Sequence, residues 1–402
     1  CQLIPEWGDI VVDYVNEIDD ELEIEQISDE EAYPFITWVG EEVDEAYYKA
    51  VMGIEINPGL DKSDFKIVYS PQHGADNIPV RTCLKRLGYD IVPVLAQCAP
   101  DPDYTNTKSP NPEVDASYEL AIKLAKEVDA DVVAITDPDG DRLGVVAKHN
   151  GEYVLMSGNQ SAAVYLEYIL SQRKEKATLP DNAVMYNTIV TSDLGELVAR
   201  NYGVDVEKTL TGFKFIGDKI RKYEKTHEKQ FIFGYEESYG CVVEDFVRDK
   251  DAVQAVLLAA ECGNYYKKQG KDLIDVLNEL YAKYGTFKES QIALAKAGAA
   301  GAARIKEMMD TLRKDKPTEI GGVKVVLSED YATSERSDGT TIDLPKSNVL
   351  KYYLEDGSWI AARPSGTEPK CKFYFSIKGK DAKDAADKTE VFHKAMMELI
   401  GE

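Results

Sequence analysis

Positive charge is what this chain has least of: 47 Lys and Arg stand against 72 Asp and Glu in 402 residues, a net charge of −25. Such a surface repels phosphate backbones and anionic bilayers, which excludes a sequence-neutral grip on nucleic acid or membrane. A small anionic ligand would need a locally basic pocket. Six cysteines, at 1, 83, 98, 241, 262 and 371, include no Cys-x-x-Cys pair, which excludes a thiolate zinc site and a disulfide framework and makes a reducing cytoplasm the expected setting. No apolar run is long enough to span a bilayer, and no signal-peptide pattern opens the sequence. With 44% apolar residues the chain can bury a core, and its length predicts two to four domains.

What stands out is Thr136-Asp137-Pro138-Asp139-Gly140-Asp141-Arg142, with carboxylates at alternate positions. Hard oxygen ligands so close together repel unless a cation sits among them. The loop lies between the apolar, β-prone runs 131–135 and 143–147, so it reads as strand, acidic loop, strand. An EF-hand counted from Asp137 would need Gly at position six and Glu at twelve. Those positions hold Arg142 and Lys148, which rules it out. Aspartyl-phosphate phosphatases carry two Asp followed by Thr or Val, where this loop has Asp141. A solvated acidic turn is the plain alternative, since Asp-Pro-Asp-Gly is ordinary turn chemistry.

Residues 1–42 are acidic and carry only short helical patterns, such as Ile10 to Val15, so they read as a linker or the tail of a further domain. From 43 to 157 helices and strands alternate: a helix over 43–52, strands over 65–69 and 89–94, and a helix over 118–125 before the acidic loop. That order predicts an α/β layer with a largely parallel sheet. A second such unit is expected over 158–285, with helices at 162–170, 194–200 and 252–266 and strands at 183–186 and 230–233. From 290 to 402 a helical stretch to 312, strands at 359–363 and 372–377 and a helix at 382–399 predict an α+β domain.

Three more loops stand at strand ends. Thr211-Gly212-Phe213-Lys214 is a glycine-framed turn whose Lys could reach a phosphate or simply snorkel at the surface. Gly234-Tyr235-Glu236-Glu237-Ser238 bunches carboxylates and hydroxyls that suit vicinal sugar hydroxyls. Arg363-Pro364-Ser365-Gly366-Thr367-Glu368-Pro369-Lys370 offers an Arg fork, hydroxyls and free backbone N–H groups to a phosphate dianion.

Taken together and in this order, the four loops resemble those of the α-D-phosphohexomutases, the phosphoglucomutase and phosphomannomutase family, over roughly 43–402. Ser70-Pro71-Gln72-His73-Gly74 and Ser109-Pro110-Asn111-Pro112-Glu113 match it too. The resemblance implies four domains around a central cleft, of which this chain would carry two mixed α/β layer domains followed by the C-terminal α+β domain. It implies isomerisation between hexose 1-phosphate and hexose 6-phosphate, through a phosphoserine and a sugar bisphosphate that serves as activator. Asp137, Asp139 and Asp141 would hold Mg²⁺. Lys214, Glu236, Ser238, Arg363, Ser365, Gly366 and Thr367 would bind substrate. Lys250, in Arg248-Asp249-Lys250-Asp251, is the implied proton-transfer group, with a salt-bridged surface Lys as its plain alternative, and Arg142 is the further catalytic candidate.

One segment of that pattern is missing. The family's nucleophile lies in a Thr-Ala-Ser-His-Asn-Pro type run, and none of the four His, at 73, 149, 227 and 393, follows a Ser. With Cys1 rather than Met at its start, the chain is expected to lack the first domain and, alone, to be inactive. Competing readings are phosphomannomutase or phosphopentomutase specificity, a Mg²⁺-dependent phosphatase using an Asp of the acidic loop, and a non-catalytic sugar-phosphate binding protein. Oligomeric state is not legible.

Overall fold

The structure, a computed structural model, describes residues 2–366 and 368–402. They form two compact units: one runs to Gly158 and takes in Ser171–Tyr186 and Gly212–Leu273, and the other comprises Asn159–Leu170, Asn187–Thr211 and Ile274–Glu402.

In the first unit a five-stranded sheet runs in the order Asp90–Pro93, Lys66–Ser70, Val132–Thr136, Leu143–His149, Glu152–Met156. The first three strands are parallel. The last two add antiparallel, so the sheet is mixed rather than largely parallel. The acidic loop explains the difference: it joins neighbouring strands by a short reversal, and only an antiparallel pair can be joined without a crossover. Val132–Thr136 is buried at every position, as expected of a central strand covered on both faces. On one face lies the amphipathic helix Glu119–Val128, whose Ala121 and Ala125 pack with Val68, Val133, Ile135 and Val146. The other face meets Ala252–Lys267, a helix buried at 14 of its 16 residues, polar Gln254, Glu261 and Asn264 among them. Its N-cap is Asp251, whose side chain accepts from Gln254 N–H at 3.1 Å. A second, smaller set of strands has Ala183–Thr188 parallel to Gln230–Tyr235, which pairs antiparallel with Cys241–Val242.

The N-terminal segment holds a 12-residue helix, Pro5–Asn16, longer than its sequence pattern suggested and with no buried residue. No described helix is long and apolar enough to cross a membrane.

In the second unit an antiparallel sheet runs Thr286–Ala295, Lys370–Gly379, Trp359–Pro364, Leu350–Leu354, Val323–Asp330, Glu319–Ile320. Helices Gly298–Lys314 and Ala382–Ile400 supply Ile305, Met308, Met309, Phe392 and Met396 to a core shared with Leu350, Ile360, Phe373 and Phe375. The ten-residue edge strand Thr286–Ala295 is not among the elements the sequence pattern predicts. Apart from buried Phe287 its residues are half-covered or exposed, so its apolar signal is weak.

Candidate active site

The acidic loop begins where Val132–Thr136 ends. Asp137 is buried, and its Oδ1 accepts from the N–H of Asp141 at 3.1 Å and of Arg142 at 2.9 Å. Two backbone donors hold that carboxylate oxygen in place. Ligand oxygens of Asp137, Asp139 and Asp141 lie within 4.8 Å of one another. Burial, the Asp141 charge and the Asp139 charge push Asp137 up to about 7, as happens to carboxylates crowded together without a cation. Oxygen-only donors at this spacing fit a hard divalent ion, and the repulsion among them is what such an ion would relieve.

Two cations already contact the loop. Lys250 Nζ lies 2.5 Å from Asp141 Oδ2 with its side chain 10% exposed. Burial pulls the ammonium down, but its hydrogen bond with Asp141 and that charge outweigh burial and leave it above its ordinary value. Arg142 donates to Glu113 at 2.9 Å and approaches Asp137 and Asp141 at 3.6 and 3.5 Å. The structure therefore brings Asp137, Asp139, Asp141, Arg142 and Lys250 together.

Glu236 follows the strand Gln230–Tyr235 and is 5% exposed. It accepts from Gly212 N–H at 2.8 Å, which ties the Glu236–Ser238 turn to the loop bearing Lys214. Burial and the Glu237 charge raise Glu236 to about 7, against the pull of that N–H. Leu143 N donates to Tyr239 O at 2.9 Å, linking the same turn to the acidic hairpin. Ser238 is half-buried. Lys214, also half-buried, has an ammonium 5.4 Å from the Phe215 ring and no carboxylate partner among the described residues.

The 363–370 loop belongs to the other unit and closes a hairpin between Trp359–Pro364 and Lys370–Gly379. Ser365 N donates to Lys370 O at 2.7 Å, and Glu368 N to Ser365 Oγ at 3.2 Å. Gly366 is exposed with open space about it. Half-buried Arg363 has no carboxylate partner among the described residues, an unusual state in a chain of net charge −25 and one suited to an incoming anion. Thr367 lies outside the described residues.

The Ser70–Gly74 match was visible in the sequence, but what its residues do was not. Gln72 and His73 adopt left-handed φ of 48° and 66°, a strained pair of the kind found at functional sites. Gln72 Nε2 donates to Ser117 O at 3.0 Å and His73 Nδ1 to Ala99 O at 2.7 Å. Behind this turn, Ala75 N donates to Pro138 O at 3.0 Å, and a Cβ at Gly74 would strike the Pro138 backbone. The Ser70–Gly74 segment thus forms the bed of the acidic loop, a role that its match to the family did not disclose.

Comparison with known proteins bears on the same loops. Family models match three stretches: phosphoglucomutase/phosphomannomutase alpha/beta/alpha domain II at 45–151, alpha/beta/alpha domain III at 157–284, and the C-terminal domain at 300–392. A phosphoglucomutase of Staphylococcus aureus (strain MRSA252) is 36% identical over 395 residues, which cover 96% of this chain and 70% of that protein. One from Staphylococcus epidermidis (strain ATCC 12228) is 38% identical over 346 residues, 84% of this chain and 62% of that protein. The chain thus spans roughly two thirds of the length of these relatives. Among solved structures, the pp63/parafusin phosphoglucomutase of Paramecium in its open form has a TM-score of 0.66 at 18% identity, over 89% of this chain and 63% of that one. A putative phosphomannomutase of Thermus thermophilus gives 0.62 at 17%, over 91% and 68%. At such identities the two structures share the fold.

Proposed function

The chain belongs to the phosphoglucomutase/phosphomannomutase family, and from that premise we propose that it supplies the metal, sugar and phosphate loops of an enzyme that interconverts hexose 1-phosphate and hexose 6-phosphate. The observation that carries the proposal is the convergence of Asp137, Asp139 and Asp141, crowded and partly cation-starved, with Lys250 and the Glu236 turn. Bound at the three carboxylates, Mg²⁺ would supply charge neutralisation to a transferring phosphoryl group.

The residues of the chain have separable tasks. Lys250, held protonated by Asp141, is the proton donor to an ester oxygen as the phosphoryl leaves it. In the reverse direction it takes that proton back only after its ion pair loosens. Arg142, anchored on Glu113, keeps the loop charge balanced. Glu236 and Ser238 accept and donate to vicinal sugar hydroxyls, which differ little between glucose and mannose. Arg363, Ser365, Gly366 and Thr367 receive the phosphate that is not reacting, and Lys214 is a separate substrate-binding residue. A generic phosphate site suits a substrate that must bind in two orientations, since the bisphosphate turns round between transfers.

The phosphoryl donor of this scheme is a serine in a Thr-Ala-Ser-His-Asn-Pro type segment, which the 402 residues do not contain. The proposal is therefore that the chain alone does not turn over, and that turnover needs the serine in the same protein. Conversion of glucose 1-phosphate to glucose 6-phosphate with Mg²⁺ and a trace of glucose 1,6-bisphosphate tests it. Substituting mannose 1-phosphate or ribose 1-phosphate in the same assay sorts the competing specificities.

A further inference from the structure

Asp76 occupies the N-cap position of the helix Asn77–Arg86, yet its side chain makes no capping hydrogen bond. An Asp at this position ordinarily turns back onto the N–H groups of the first turn. This one points instead at the acidic loop. A Cβ added to Gly140, whose φ is +73°, would fall inside contact distance of all three carboxyl atoms of Asp76. The residue is 7% exposed, and its Oδ2 has no hydrogen-bond partner among the described residues.

Among the described residues no cation is paired with Asp76. Asp251 lies close enough to raise Asp76 by repulsion and, second to burial, is the largest influence on it; Asp139 and Asp141 follow. Asp251 is itself satisfied by Tyr47 Oη at 2.9 Å and by Gln254. On either side of Asp76 the backbone clasps the same loop, through Ala75 N to Pro138 O and Ala252 N to Gly140 O, both 3.0 Å. A buried carboxylate oxygen left without a donor is costly. Its placement makes sense if the compensating charge arrives from the loop side.

We propose that Asp76 is a positioning residue for the acidic loop: wedged beneath Gly140, its carboxylate sets the turn that presents Asp139 and Asp141 and adds a fourth negative charge behind the divalent cation held there. The inference rests on Asp137, Asp139 and Asp141 being the metal site. It implies a trade between stability and binding, because the charge that helps hold a cation repels its neighbours when none is present.

The test is Mn²⁺ binding to the 402-residue chain, read from loss of the free-ion electron paramagnetic resonance signal at about pH 8, beside thermal unfolding in chelator. Asp139→Asn is the control and should abolish binding. Asp76→Asn should weaken Mn²⁺ binding about five- to tenfold, the scale of one partly screened charge near a divalent ion, while leaving the unfolding midpoint unchanged or higher. Asp76→Ser, which also removes the wedge, should weaken binding at least as much. Affinity within twofold of the parent in both variants, or a falling midpoint with unchanged affinity, would overturn the role and leave the metal site standing. A parent chain that binds no Mn²⁺, or an Asp139→Asn chain that binds as the parent does, would refute the metal site and this inference with it.

Discussion

Three carboxyls around the site, Asp76, Asp137 and Glu236, are each pushed up to about 7, and this sets a pH dependence of stability for the cation-free chain. In the unfolded chain these groups return to ordinary carboxylate values near 4. Between about pH 4 and pH 7 the folded state therefore holds protons that the unfolded state has released. The unfolded state binds fewer protons there, so stability falls as pH rises through the window and levels off above the folded values. A rise from about 4 to about 7 would be worth about 4 kcal/mol for an isolated group. Mutual coupling and residual solvent access reduce that to about 1 kcal/mol each, or about 3 kcal/mol in total. For a unit of this size that corresponds to a loss of roughly 6–12 °C in unfolding midpoint from about pH 4.5 to 7. His393, lowered by burial, works in the opposite direction within the window. Lys351, lowered by burial to about 7, does so above it, so the slope should be read below neutrality. Scanning calorimetry of the chain in chelator across this range checks the sign. Saturating Mg²⁺ should flatten the slope, because the cation takes the place of the protons near the acidic loop, and Glu236→Gln should remove its own share. A midpoint that rises or stays level from about pH 4.5 to 7 in chelator would refute the reasoning.

Other outcomes follow from single contacts. In the protein carrying the serine, Asp139→Asn should cut kcat by roughly two to three orders of magnitude through lost stabilisation of transition-state charge, checked by steady-state assay at saturating Mg²⁺. Arg363→Ala should raise KM for the sugar phosphate about tenfold or more with a smaller change in kcat, the loss expected for one charge-assisted contact. Gly74→Ala should lower the unfolding midpoint measurably by calorimetry, since a Cβ there collides with the Pro138 backbone rather than with a movable side chain.

The sequence exposed the chemistry more readily than the scaffold beneath it. Alternating carboxylates between two apolar runs marked Asp137, Asp139 and Asp141, because ligand spacing is local. The same locality located the Glu236 turn and the Arg363 hairpin at strand ends. Asp76 was invisible for the opposite reason: nothing nearby in the chain marks it, and its meaning comes from Gly140, brought to it only by folding. The Tyr47–Asp251 bond, spanning 204 positions, is of the same kind. The antiparallel addition of Leu143–His149 was implicit in the shortness of the acidic loop, but alternation of helices and strands favoured a parallel sheet. Thr286–Ala295 escaped because an edge strand needs little apolar patterning to pair with Lys370–Gly379.

The central claim is tested most directly by following glucose 1-phosphate to glucose 6-phosphate, with Mg²⁺ and a trace of glucose 1,6-bisphosphate, in a form of the protein that carries the serine segment, beside the 402-residue chain. The account predicts conversion by the former that stops in chelator, and none by the latter. Failure of the former on hexose and pentose phosphates alike, or turnover by the 402 residues alone, would contradict it.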